Sequence, residues 1–316
     1  MRAARRPRRH VLRLPALLGV ALLLLTGCAT AGTSRSEGDK PLVLTTFTIL
    51  ADMTRAVGGD RVEVESITKP GAEIHEYEPT PEDVKKASRA DLVLANGLGL
   101  EAWTERFLHD ADAEHRTVSD GVDPMPIAAG ASEGKPNPHA WMSPRAAQRY
   151  TDTIAEALAE LSPEHAEEFR ENARKYREQL EQVHTEVQDA VAALPADHRV
   201  LLTCEGAFSY LARDTGLSEH YLWPVNSDDQ GTAQQIRSAI DAVRQRGVPA
   251  VFCESTVSDR TMRQVVEATD ARYGGTLYVD SLSEEGGPVP TFLDLLRHDA
   301  RTITAGLSGA RDGADS

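Results

Sequence analysis

Four short motifs place side chains that can ligate a metal in the turns and loops between predicted elements. His75 follows a strand that ends near Ile67, and His139 lies in a loop before a predicted helix. Glu205 and Asp280 each come directly after a further strand. Two imidazoles suit Zn, Fe or Mn, and two carboxylates favour Mn or Fe over a thiolate-loving metal. Singly, such residues are often structural, because a carboxylate after a strand frequently caps the next helix. The prediction therefore depends on all four converging.

The elements that must position them alternate between strands and helices, which predicts an α/β fold with parallel sheets. Strands are predicted at 42–46, 62–67, 91–95, 200–203, 221–223, 250–252 and 276–279. Helices are predicted at 49–57, 81–87, 101–108, 207–215, 232–246, 258–273 and 290–305, and residues 109–138 are predicted to be a loop. Functional groups of open α/β sheets gather at the carboxyl ends of strands, so two candidates from each of two lobes would meet in the cleft between them.

Two helices separate the two α/β patterns. Ser143-Pro144 starts the first, and Ser162-Pro163 starts a second that continues to Leu194. The second has one apolar face over many turns, and at 1.5 Å per residue it would be about 48 Å long. We expect a rigid strut that joins the two lobes. The alternative is the arm of a coiled-coil dimer.

The N-terminus has the features of a bacterial export signal. A basic stretch that ends at Arg13 precedes an apolar run over 14–25, which is shorter than the ~20 residues of a membrane span. Leu25-Thr26-Gly27-Cys28 resembles a lipobox, which implies cleavage before Cys28 and lipidation of its sulfur. The alternative is an ordinary signal peptide with a coincidental cysteine. The predicted division is a signal peptide (1–27), a flexible tether (28–40), an N-terminal lobe (41–143), the linking helices (144–196), a C-terminal lobe (197–309) and a disordered tail (310–316).

The net charge argues against nucleic acid as a partner. The 316 residues carry −15, with 34 Lys+Arg against 49 Asp+Glu. The signal holds six arginines and no acids, so the mature chain retains 28 basic residues against 49 acids, or −21. A polyanion binder needs clustered Lys and Arg. We therefore expect an acidic extracytoplasmic domain, anchored to the cell membrane through lipid on Cys28.

Three residues beside the predicted strands have two interpretations each. Glu254 either accepts a hydrogen bond from a ligand imidazole or caps the helix that begins near residue 258. Cys204 and Cys253 are either two buried free thiols or, if their strands are neighbours, a disulfide.

Five motifs carry a resemblance to a known family, and they lie at 71–79 (GAEIHEYEP), 96–101 (NGLGLE), 137–141 (NPHAW), 204–208 (CEGAF) and 278–282 (YVDSL). They resemble the cluster A-I solute-binding proteins of ABC importers for manganese, zinc and iron. The resemblance covers about residues 41–307 and implies two α/β lobes bridged by one rigid helix. It also implies the metal ligands His75, His139, Glu205 and Asp280.

The resemblance implies a monomeric binding protein, not an enzyme, which captures a divalent metal and delivers it to a membrane permease and its ATPase. Zinc importers of the family resemble one another in having His at the third ligand position, where this chain has Glu205. Residues 109–138 contain no histidine cluster, and Glu73-Ile74 replaces the Asp-Pro common elsewhere. These features favour Mn²⁺ or Fe²⁺ as the cargo. A zinc-specific protein of the same family is the alternative, since Zn²⁺ binds a nitrogen and oxygen site more tightly than Mn²⁺ does.

Two functions from other classes are weaker. A secreted metallohydrolase keeps an open metal position for water, and four protein ligands leave little room for one. Pro79 also interrupts any His-Glu-x-x-His helix after His75, and the sequence has no Gly-x-Ser-x-Gly elbow. A surface adhesin would need an adhesive surface, which nothing in the sequence encodes.

Overall fold

The computed structural model describes residues 40–104, 113–225 and 231–309. The predicted signal peptide, Cys28, almost all of the tether and the C-terminal tail lie outside these residues. The second half of the helix predicted at 101–108 also lies outside them. None of the helices in the described ranges combines the length and apolarity needed to span a bilayer.

The first lobe is a four-stranded parallel sheet in the order β2-β1-β3-β4. Its strands are β1 (Leu42–Thr45), β2 (Glu63–Ser66), β3 (Leu92–Ala95) and β4 (Glu114–Thr117), and its helices are Thr48–Gly58 and Pro81–Ala87. Every residue of β1 is buried, as expected for a central strand covered on both faces. Thr80 caps the second helix in a capping box with Asp83, and Pro81 occupies its first turn.

The strand β4 corrects the prediction that residues 109–138 form a loop. It pairs in parallel with β3, with Leu92 opposite Glu114. Its sequence, Glu-His-Arg-Thr, is half exposed at the edge of the sheet, so it carries no apolar run by which a strand is recognised. Backbone hydrogen bonds to β3, rather than side-chain burial, define this strand.

Two long helices follow the first lobe, at Pro144–Leu161 and Ala166–Ala192. We call Ala166–Ala192 the linking helix; its 27 residues span about 40 Å. The sequence predicts that this helix begins at Pro163, but Pro163–His165 forms a 3₁₀ turn before it. The apolar face of the linking helix is buried and comprises Phe169, Ala173, Tyr176, Leu180, Val183, Val187 and Val191. That face packs on Pro144–Leu161 and on helices of both lobes, so the chain itself covers the surface that a coiled-coil dimer would use.

The second lobe contains two parallel strand pairs, β5 with β6 and β7 with β8. Its strands are β5 (Val200–Glu205), β6 (Ser218–Trp223), β7 (Ala250–Glu254) and β8 (Arg272–Leu277), and its helices are Ser209–Thr215, Ala233–Arg246, Arg260–Ala268 and Phe292–Leu307. Cys204 of β5 and Cys253 of β7 are bonded as a disulfide, with their Cα atoms 4.9 Å apart. The free-thiol interpretation of these cysteines therefore does not describe the structure.

The chain between the last two strands also differs from the prediction. The helix expected to reach Tyr273 ends at Ala268, and β8 begins at Arg272 rather than at residue 276. Within β8 the backbone at Gly274 passes close to the Phe252 ring, because a Cβ on Gly274 would lie 2.3 Å from it. A glycine at this point lets β8 lie against β7 over a large buried aromatic side chain. The predicted fold class, α/β with parallel sheets in two lobes joined by a long helix, is confirmed.

Candidate metal centre

The structure brings the four predicted ligands together from four separate segments. His75 lies in the loop after β2, and His139 lies immediately before the 3₁₀ turn Ala140–Met142. Glu205 is the last residue of β5, and Asp280 lies three residues beyond β8. The first lobe therefore supplies two imidazoles, and the second lobe supplies two carboxylates, to the same point.

The distances between the donor atoms fit a small ion. The Nε2 atoms of His75 and His139 are 3.1 Å apart. The Glu205 Oε1 lies 3.3 Å from the first and 3.5 Å from the second, and the Asp280 Oδ1 lies 3.9 and 4.0 Å from them. All four donors lie within 4.8 Å of one another. Bonds of about 2.0–2.2 Å in a tetrahedral site put ligand atoms about 3.3–3.6 Å apart, so the donors need only small shifts to close on a cation.

The donor side chains are almost entirely removed from water. The His75 side chain is 7 % exposed and the other three are 0 % exposed. Burial lowers the pKa of His75 to about 4, although the negative charge of Glu73 acts in the opposite direction. Burial also holds the pKa of His139 well below its usual range, and the neighbouring His75 ring lowers it further. Both imidazoles are thus neutral and can offer lone pairs to a metal.

The carboxylates respond to burial in the opposite direction. Burial, and then the charge of Glu73, raises the pKa of Asp280 to about 7, although the Thr256 hydroxyl donates to its Oδ2 over 3.1 Å. A buried anion is unfavourable unless a positive charge compensates it. A divalent cation held by two carboxylates supplies that compensation.

Side-chain hydrogen bonds to the backbone hold the loop that carries His75 in place. The Glu73 carboxylate accepts the N–H of His75 over 2.8 Å, and the Trp103 indole donates to the Ile74 carbonyl over 2.9 Å. The Tyr77 ring packs against Trp103, and its hydroxyl donates to Asp83. Tyr77 thus helps to anchor this loop to the helix that follows it.

Glu254 has a partner that neither sequence interpretation anticipated. Its Oε2 accepts the backbone N–H of Glu205 over 3.2 Å, so it touches a candidate ligand but not an imidazole. The helix Arg260–Ala268 begins after Asp259 and has no side-chain cap, so Glu254 does not cap it either. Burial raises the pKa of Glu254 to about 8, which makes it a neutral carboxyl group behind the site.

Sequence reasoning did not assign a role to Asn137 or Thr256. The Asn137 Oδ1 accepts the backbone N–H of His139 over 3.0 Å and lies 2.9 Å from the ring Nδ1 of the same residue. An asparagine two residues before a histidine is a recognisable signal, because Asn side chains commonly bond the backbone two residues on. Thr256 carries no comparable signal, since only the fold brings it to Asp280.

The chain is similar to known metal-binding proteins over most of its length. A model of the family described as zinc-uptake complex component A, periplasmic, matches residues 43–306. The iron-binding protein YfeA of Yersinia pestis is 47 % identical over 286 residues, covering 90 % of this chain and 92 % of that protein. The manganese ABC transporter substrate-binding lipoprotein PsaA of Streptococcus anginosus is 33 % identical over 300 residues, covering 92 % and 97 %.

Solved structures agree with these matches. A Mn-bound periplasmic metal binding protein from Candidatus Liberibacter asiaticus superposes with a TM-score of 0.79 at 37 % identity, covering 85 % of this chain and 100 % of that one. The periplasmic zinc binding protein TroA of Treponema pallidum superposes with a TM-score of 0.79 at 27 % identity, covering 85 % and 99 %. The matches extend over almost the whole length of these relatives, so the similarity is one of entire proteins.

Proposed function

Because this chain belongs to the periplasmic zinc-uptake component A family of metal-binding proteins, we propose that it captures Mn²⁺ or Fe²⁺ through His75, His139, Glu205 and Asp280. Members of this family are substrate-binding proteins of ABC transporters and not enzymes, so the metal is cargo. The observation that carries the proposal is the convergence of four buried donors, two nitrogens and two oxygens, within 4.8 Å.

The donor chemistry favours manganese or iron over zinc. Carboxylate oxygens suit Mn²⁺ and Fe²⁺, and imidazole suits each of the three metals. The relatives at 47 % and 33 % identity are named for iron and manganese, whereas TroA of Treponema pallidum, which is named for zinc, is 27 % identical. Zinc specificity is the alternative, because Zn²⁺ exceeds Mn²⁺ in intrinsic affinity for such a site.

The whole protein works outside the cytoplasm with a permease and its ATPase, as ABC substrate-binding proteins do. We further propose that residues 1–27 are removed, that Cys28 carries the lipid anchor and that residues 28–40 tether a monomeric domain. Names of relatives that include the word lipoprotein support this anchoring.

Elemental analysis of the protein purified from its native membrane, followed by competitive titration of Mn²⁺, Fe²⁺ and Zn²⁺, tests the cargo. We expect one equivalent of manganese or iron in the native protein. A preparation that contains only zinc, together with Mn²⁺ binding too weak to occur at cellular concentrations, would contradict the choice of metal but not the site.

Alanine variants test the ligands separately from the choice of metal. His75→Ala and Asp280→Ala should each abolish stoichiometric binding of Mn²⁺, because each removes one of four donors. His115→Ala, an imidazole exposed on the edge strand β4, is the matched control and should bind as the wild type does. Unchanged binding in His75→Ala would show that the metal sits elsewhere.

A further inference from the structure

The side-chain amide of Asn137 uses all of its hydrogen-bonding capacity inside the protein. Its Oδ1 accepts two bonds from His139, and its Nδ2 donates to the Gly206 carbonyl over 2.7 Å and to the Ser209 hydroxyl over 3.2 Å. The residue is only 2 % exposed. A buried amide with four partners is held in a single orientation, because any rotation leaves polar groups unpaired.

That orientation determines which nitrogen of His139 carries the proton. The backbone N–H of His139 is a donor, so the atom of Asn137 that faces it must be the amide oxygen. The same oxygen lies 2.9 Å from Nδ1, which must therefore be protonated to make a hydrogen bond. The lone pair of the neutral ring is then on Nε2, the atom that faces His75 and Glu205.

The other half of the amide reaches into the second lobe. Gly206 directly follows Glu205, and Ser209 begins the next helix. The Tyr210 hydroxyl, from the same helix, donates to the Asn137 carbonyl over 2.8 Å. One side chain thus contacts the loop that carries an imidazole donor and the turn that follows a carboxylate donor.

We propose that Asn137 is a positioning residue that holds His139 as the Nδ1–H tautomer and ties it to the Glu205–Gly206 turn, so that donors from both lobes are presented together to the metal. This inference rests on the proposed function, since it assigns a role within the same site. Outer hydrogen-bond partners of metal-ligating histidines typically contribute about 10–100-fold to metal affinity.

The loop does not depend on this side chain alone for its place. The Asn96 amide donates to the Pro138 carbonyl over 3.1 Å, and the Tyr150 hydroxyl donates to Asn96 over 2.6 Å. Tyr210 bonds the backbone of residue 137, which any substitution retains. We therefore expect Asn137 variants to fold, and circular dichroism with thermal unfolding verifies this.

The first measurement is the tautomer of His139 in the metal-free protein, read from the ¹⁵N shifts of its ring. We expect a single Nδ1–H form in the wild type and in Asn137→Asp, because aspartate keeps the accepting oxygen. Asn137→Ala should give a mixture of both tautomers, as a neutral imidazole without a fixed partner does. A merely structural role for Asn137 would leave these shifts unchanged.

The second measurement is affinity for Zn²⁺ and Mn²⁺ by competition with a chelator. We expect Asn137→Ala to bind about 10–100-fold more weakly. Asn172→Ala is the matched control and should bind as the wild type does, because Asn172 lies on the linking helix and donates to the Val57 carbonyl of the helix Thr48–Gly58. Wild-type affinity and a single tautomer in Asn137→Ala would overturn the inference. Failure of the wild type itself to bind these metals would instead overturn the proposed function.

Discussion

The four candidate ligands are almost entirely buried in the metal-free protein. This burial determines how the site responds to protons. Burial places the pKa of Asp280 at about 7 and that of His75 at about 4. In the metal-free protein the carboxyl group, and not the imidazole, therefore titrates near neutral pH. If Asp280 is a ligand as proposed, a cation that binds must displace this proton, since the ligand is the carboxylate.

Metal affinity should accordingly fall as the pH is lowered below about 7. One displaced proton corresponds to about a tenfold loss of affinity per pH unit. Competitive Mn²⁺ titrations at pH 8, 7 and 6, with proton release measured calorimetrically in buffers of different ionisation enthalpy, check this. Constant affinity between pH 8 and 6 would contradict it.

The residue at the position of Glu205 should control the preference among metals. Replacing its carboxylate by imidazole in Glu205→His removes a negative charge and an oxygen donor, which Mn²⁺ needs more than Zn²⁺ does. We expect Mn²⁺ affinity to fall at least about tenfold while Zn²⁺ binding persists. Competitive titration of both metals decides the matter, with Glu186→His on the exposed face of the linking helix as the control. Equal losses for both metals would show that this position sets affinity without selectivity.

Among the elements, β5 and β7 are joined covalently directly behind the site. The Cys204–Cys253 disulfide joins residues that are 49 positions apart in the sequence. Cys204 directly precedes Glu205, and Cys253 directly precedes Glu254. A crosslink of this kind stabilises a protein mainly by restricting the unfolded chain.

Replacing both cysteines by alanine should lower the free energy of unfolding by about 2–4 kcal/mol. Urea denaturation of the mature domain measures the change, and the wild type treated with a strong reductant is the matched comparison. We expect the reduced wild type and the double variant to have similar midpoints. A double variant as stable as the oxidised wild type would mean that the bond adds nothing to stability.

The last helix, Phe292–Leu307, docks on β8 through a buried acid. Asp299 is 3 % exposed, and its Oδ1 accepts the Tyr278 N–H over 2.9 Å. Burial raises the pKa of Asp299 well above its ordinary value, with a further contribution from Glu254. The folded state therefore holds a proton that the unfolded chain releases near pH 4. This contribution to stability is complete below that pH and is lost as the pH rises through the folded pKa.

The variant Asp299→Asn should make stability less dependent on pH. Asparagine keeps the oxygen that accepts the Tyr278 N–H but cannot ionise, so the cost of a buried charge at high pH disappears. Melting temperatures at pH 5 and pH 8 should differ less in this variant than in the wild type. Asp189→Asn, on the exposed face of the linking helix, should retain the wild-type difference. An unchanged difference in Asp299→Asn would contradict the prediction.

Across the whole molecule, the two lobes are braced against each other. The linking helix packs on Thr48–Gly58 of the first lobe and on Phe292–Leu307 of the second. Cross-lobe hydrogen bonds reinforce this, since the Phe292 N–H donates to Asp52 and the Trp141 indole donates to the Val279 carbonyl, over 2.9 and 3.0 Å. Wide hinging would break buried contacts of this kind, so rotation of one lobe against the other is costly.

We therefore expect metal release through a small lobe adjustment or a local loop change. Crystal structures with and without metal should superpose closely over both lobes, and the radius of gyration measured by X-ray scattering should not change. The control is the metal-free His75→Ala variant in the same buffers. A large rotation of one lobe between the two states would show that the linking helix acts as a hinge.

The fold class and the types of the candidate donors could be predicted from the sequence without the structure. Apolar runs alternating with helical periodicity predicted the parallel strands. Pro81 and Pro144 correctly marked the first residues of two helices, because proline is favoured in the first turn. The residue types in four turns and loops indicated a divalent metal with nitrogen and oxygen ligands. These properties are local, so a single chain reveals them without knowledge of its neighbours in space.

Contacts between segments that are distant in the sequence could be seen only in the folded structure. It paired Cys204 with Cys253, turned Glu254 towards the Glu205 backbone and placed Thr256 beside Asp280. The polar edge strand β4 also appeared only there, because pairing with β3 rather than its own composition defines it. The pKa values that govern capture belong to the same category, since they arise from burial that many separate segments create together.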